Sequence, residues 1–189
     1  EGKLKEYFCA DDTHLGFVLY DCPNGCSAGA CRPARSASWQ PYFIFQTMHG
    51  NGPYDAMSYA QFESDVTLTS GIDLRAKNII ADAFMCNGNC TYEVTISDDS
   101  GKSLGTAKVS STNFRQLQVT FASPVILERN KPYHIWQKVT STKAVSIYTM
   151  GNFGSLHPDI QLSLNYARSD GQDFTDRGSI SFWLNGDSK

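Results

Sequence analysis

The chain is poor in charge and poorer still in helical pattern. Only 19% of its 189 residues are Asp, Glu, Lys or Arg, and the formal net charge is −3. Without a basic excess there is no cationic surface of the kind nucleic acid requires, so no nucleic-acid partner is expected. The same balance argues against an anionic membrane surface as partner. No apolar run approaches the roughly 18–20 residues that span a bilayer, so no membrane insertion is expected. No signal peptide is visible, and the first residue is Glu1, as in a mature chain after signal removal.

Catalytic signatures are missing as well. There is no Gly-x-Ser-x-Gly elbow, no phosphate-cradling glycine loop and no His-Glu-x2-His motif. The histidines, His14, His49, His134 and His157, are scattered, and each reads as a structural or surface residue. Internal repeats and low-complexity tracts are absent.

What is present is a strand-forming composition: 41% hydrophobic and 12% aromatic residues. From Trp39 onward short apolar–polar alternations follow one another. They run over 39–46, where Pro41 marks an edge strand, 62–69, 77–85, 92–97, 104–110, 114–121, 125–128, 133–140, 143–150, 160–166 and 179–184. Ile160, Leu162, Leu164 and Tyr166 make a clean period of two, and Tyr54 to Phe62 admits one helical turn. Strands with turn signals roughly every 8–12 residues predict an all-β, antiparallel β-sandwich, jelly-roll-like, behind a short disulfide-rich N-terminal segment. The boundary is placed between residues 1–35 and residues 36–189.

The six cysteines are Cys9, Cys22, Cys26, Cys31, Cys86 and Cys90. An even number in tight clusters reads as a disulfide framework, hence a secreted, extracellular or cell-surface protein. Cys86 and Cys90 bracket Asn87-Gly88-Asn89, which predicts a β-hairpin stapled at its turn. The other four lie in a Gly-, Asn- and Ser-rich stretch that cross-links must hold, with Cys9–Cys26 and Cys22–Cys31 as one pairing. Zinc on these four is the rival reading, but paired Cys-x2-Cys knuckles are lacking. Asn89-Cys90-Thr91 is a glycosylation sequon, which makes Asn89 the glycan candidate.

From about Gly71 the order of features is similar to that of PHR-type β-sandwich modules. The residues that carry it are Tyr92 to Gly101, then Gln118 to Val125 with its Phe121-x-x-Pro124-Val125 ending, then Lys131-Pro132-Tyr133. The resemblance implies the architecture and no functional residue.

Acidic residues offer two weak chemistries. Glycoside hydrolysis needs paired carboxylates, for which Glu63 and Asp65, Asp98 and Asp99, and Asp170, Asp173 and Asp176 are candidates. Asp170, Asp173 and Asp176 also have the oxygen ligands that a structural calcium takes; no other cofactor is expected. The strongest pattern is aromatic. Tyr133, Ile135 and Val139, then Val145 and Ile147, then Ile180, Phe182 and Leu184 hold one phase of their strands, and Trp136, Tyr148 and Trp183 hold the other. Such a face is covered or used. Trp39, Tyr42, Phe43 and Phe45 could cover it. The sequence thus predicts a non-enzymatic structural or adhesive module, a surface or filament subunit assembling through β-edges and this aromatic face. A carbohydrate-binding module is the alternative and a secreted glycoside hydrolase the least favoured reading.

Overall fold

β-Branched and aromatic residues at every second position favour extended backbone with one apolar side, and such strands are stable only in pairs with that side covered. The computed structural model describes residues 2–9, 15–22, 26–27, 30–31, 38–46, 58–82, 84–112, 116–147, 149–150, 159–173, 179–180 and 182–189, and each regular element among them is a strand. In chain order these are β1 (Gly2–Cys9), β2 (Leu15–Cys22), β3 (Cys26–Ser27), β4 (Ala30–Cys31), β5 (Gln40–Gln46), β6 (Ser58–Ser70), β7 (Leu74–Asp82), β8 (Phe84–Asn87) and β9 (Asn89–Asp98). They continue as β10 (Ser103–Thr112), β11 (Gln116–Leu127), β12 (Pro132–Ile147), β13 (Thr149–Met150), β14 (Ile160–Ser169), β15 (Gln172–Asp173), β16 (Ser179–Ile180) and β17 (Phe182–Ser188).

The chain divides into two compact units, Glu1–Ser38 and Trp39–Lys189. In the first, β1 and β2 form an antiparallel ribbon that sets Cys9 and Cys22 at opposite ends, and β3 and β4 place Cys26 opposite Cys31. Phe17 (52% exposed) and Leu19 (53%) stand out from this ribbon.

In the second unit a seven-stranded sheet runs β10-β9-β12-β6-β14-β15, with β8 also paired to β12, and a four-stranded sheet runs β11-β7-β17-β5. All their pairings are antiparallel. One core joins them, with Phe62, Leu68, Tyr92, Ile96 and Ile135 from the larger sheet and Leu74, Ile79, Val119, Leu127 and Phe182 from the smaller. The architecture is therefore all-β and β-sandwich-like. β5, with Pro41 near its start, is an edge strand as expected.

Four expectations are corrected. β8 and β9 do not form a hairpin. Both run antiparallel to β12 along the same edge, Cys86 opposite Val145 and Cys90 opposite Ser141, so Asn87-Gly88-Asn89 is a kink in one line of strand. Gly88 accommodates it with φ +114. The segments 133–140 and 143–150 are largely one strand, because Ser141 to Lys143 stay paired or bulged instead of turning. Likewise 114–121 and 125–128 merge into β11, with a register shift between Thr120 and Val125. Finally, residues 58–62 of the expected helical turn belong to β6, while 54–57 lie outside the described residues.

Candidate binding face

The seven-stranded sheet has a second side. Along β12, Tyr133, Ile135, Gln137 and Val139 are buried in the core, and the alternate residues His134, Trp136 and Lys138 point away from it, each half-buried. β6 does the same, with Phe62, Ser64, Val66 and Leu68 inside and Glu63, Asp65 and Thr67 outside.

The register aligns these outward residues into rows across five strands. One row reads Arg168, Glu63, Lys138, Glu93, Lys108, from β14 through β6, β12 and β9 to β10. Its formal charges alternate, and directly opposed charges of opposite sign favour this pairing. The next row reads Tyr166, Asp65, Trp136, Thr95, Thr106. The third reads Ser163, Thr67, His134, Ser97, Ser103.

Where the second and third rows meet, the side chains form one network. His134 Nδ1 lies 2.9 Å from Asp65 Oδ2. An ionised carboxylate only accepts, so Nδ1 carries the proton and donates it. Asn165 donates its amide N–H to the same Oδ2 at 2.7 Å and to Thr67 Oγ1 at 2.8 Å. Asp65 Oδ1 receives no hydrogen bond among the described residues. The carboxylate is nearly buried, with its side chain 12% exposed, at the foot of the two aromatic rings.

The rings are neighbours as well: the Trp136 side chain reaches the Tyr166 phenol, and the Arg168 guanidinium lies 4.9 Å from the Tyr166 ring centre. Burial first, then the carboxylates of Glu63 and Asp65, push the Tyr166 phenol above its ordinary pKa. It therefore stays a neutral hydroxyl at physiological pH.

An Asp–His pair is also the base half of a hydrolytic triad, which needs a hydroxyl on the far imidazole nitrogen. Here His134 Nε2 faces Asp99 Oδ1 at 3.9 Å, and among the described residues no hydroxyl hydrogen-bonds it. The remaining acidic candidates stand apart. Asp98 accepts from the Ser100 hydroxyl at 2.6 Å and from the Ser100 and Lys102 N–H groups, which organise a turn. The Ser100 hydroxyl bond is the leading influence holding its carboxyl below the ordinary value. Asp170 Oδ1 accepts the Gln61 N–H at 2.9 Å, Asp173 is exposed in β15, and Asp176 lies outside the described residues. No group of three metal-ligating side chains occurs among the described residues.

The expected aromatic face is corrected. Trp136 is in the seven-stranded sheet and Trp183 is in the four-stranded one, each in the phase opposite the shared core, so the two do not share a face. Tyr148 lies outside the described residues. The partner that Trp136 has is Tyr166, expected in the aliphatic phase of β14. A bulge between Leu164 and Tyr166 turns it outward. Of the expected covering segment, β5 pairs with β17, Trp39 stacks under Arg75 (4.9 Å) and Lys189 (5.0 Å), and the side chains of Tyr42, Phe43 and Phe45 lie outside the described residues. Of the cysteines, Cys90 is buried and disulfide-bonded, and the side chains of Cys9, Cys22, Cys26, Cys31 and Cys86 lie outside the described residues. Asn89 is exposed at the kink.

No protein-family model and no curated protein sequence matches the chain. What fold and geometry define is a class: an antiparallel β-sandwich-like protein with a half-buried aromatic and polar face on one sheet.

Proposed function

We propose that the chain is a non-enzymatic, secreted adhesive module that attaches to its partner through the outer face of the seven-stranded sheet. One observation carries the reading. The row through the middle of that face holds Trp136 and Tyr166 against a carboxylate already positioned by His134 and Asn165. A sheet face that only meets water has no use for two large rings and a fixed acceptor, whereas a binding face needs both rigid aromatic area and a few oriented polar groups. The clustered cysteines and the disulfide at Cys90 support an oxidising compartment.

A second observation favours assembly. The β1–β2 ribbon is two strands wide, a form marginal in isolation, and shows Phe17 and Leu19 to solvent. Pairing of such ribbons between copies would make the chain a subunit of a larger surface structure.

Both readings are tested by sedimenting the full chain with insoluble surface material from its source. Attachment that fails in Trp136→Ala supports the adhesive face. Sedimentation of the chain alone, as an oligomer, supports self-assembly.

A further inference from the structure

We infer that the row centred on Trp136 is a binding site for a neutral oligosaccharide lying across the strands. This deepens the adhesive reading and rests on it.

The row is a track. Its members stand on adjacent strands about 4.8 Å apart, so from Tyr166 to Thr106 it runs roughly 19 Å, long enough for a short run of sugar units. Trp136 occupies its middle, and the apolar C–H face of a pyranose packs on such a ring. Sugar hydroxyls both donate and accept. Asp65 Oδ1, without a hydrogen bond among the described residues, is the acceptor beside the ring, and the Thr95 hydroxyl, 3.0 Å from that of Thr106, is the amphoteric partner on its other side. His134 and Asn165 are positioning residues, because they hold Oδ2 and so aim Oδ1.

The alternatives fit less well. The charge ladder beside the track supplies three cations and two anions, and Asp65 brings the formal sum to zero. A nucleic acid or a sulfated chain would need a cationic excess. A protein partner would need a broad apolar centre, whereas Trp136 and Tyr166 are the only apolar side chains in the three rows.

The test is titration of the full chain with neutral gluco-, manno-, xylo- and chito-oligosaccharides, and with a sulfated polysaccharide, by calorimetry. In parallel, amide and indole N–H resonances are followed by NMR. The inference expects one neutral class to bind, with shifts at the Trp136 indole N–H and the Asn165 amide. Trp136→Ala should weaken it about tenfold or more, and Trp136→Phe should keep part of the affinity. The NMR map on the unaltered chain reads the site even if Trp136→Ala does not fold. Absence of neutral binding, preference for the sulfated chain, or shifts confined to another surface would overturn the inference. If Trp136-dependent attachment to surface material persists while every neutral oligosaccharide fails, the oligosaccharide falls and the adhesive face stands. If both fail, the adhesive face falls too.

Discussion

Among the described residues Tyr92 is the largest side chain that the core buries completely, and its hydroxyl is satisfied there by a 2.6 Å bond to Gln137 Oε1. Desolvation pushes the phenol well above its ordinary pKa, so it stays a donor. Tyr92→Phe leaves the Gln137 carbonyl buried without that donor and is expected to cost about 1–3 kcal/mol, read as a lower urea midpoint with unchanged slope. An unaltered midpoint would show that the pair contributes nothing. Asp187 is the second such residue. It is 2% exposed on the outer side of the four-stranded sheet, where Lys77 holds one oxygen at 2.7 Å and Arg75 Nε the other at 2.6 Å. The Lys77 contact, then that of Arg75, hold its carboxyl below the ordinary value against desolvation. A depressed carboxyl stabilises the fold above the unfolded value of about 3.9 and loses that contribution as pH falls through the lower folded value. Acid unfolding is therefore expected to shift toward neutral pH in Asp187→Asn relative to the unaltered chain, checked by fluorescence across the acid range.

Elements were largely legible where one face is buried throughout. Tyr92, Val94 and Ile96, and Leu117, Val119 and Phe121, keep their expected phase and fill the core. Irregularities were not legible, because a bulge is a relation between two strands and leaves no mark on one. The bulge before Tyr166 moved a ring between faces, and the collinear pairing of β8 and β9 on β12 replaced an expected hairpin, although Asn-Gly is a strong turn signal. The Asp65–His134 contact was invisible for the same reason: 69 positions separate the two, and register alone joins them. Gly105 shows what a bulge can demand. It lies where β10, at the edge of one sheet, closes over β11 of the other, and a Cβ there would sit 2.5 Å from Val125 Cγ2. Gly105→Ala is expected to force these edges apart and cost about 1–3 kcal/mol, read by thermal unfolding. A stability equal to that of the unaltered chain would mean that the edges are not in this contact.

At the largest scale, within the unit Trp39–Lys189, two sheets share one core and leave two outward faces of different character. On the four-stranded sheet, Asp187 is held by Arg75 and Lys77, and Trp39 lies under Arg75 and Lys189, so these charges and this ring engage one another. On the seven-stranded sheet, the rows leave a ring and a carboxylate oxygen available beside a balanced ladder of charge. That difference is the ground for assigning attachment to the second face. The most direct measurement is cosedimentation of the full chain and of Trp136→Ala with surface material from the source, with the two melting curves compared. Matching melting curves, sedimentation of the unaltered chain and loss of sedimentation in the variant are expected. A variant that folds and sediments as well as the unaltered chain would contradict that assignment.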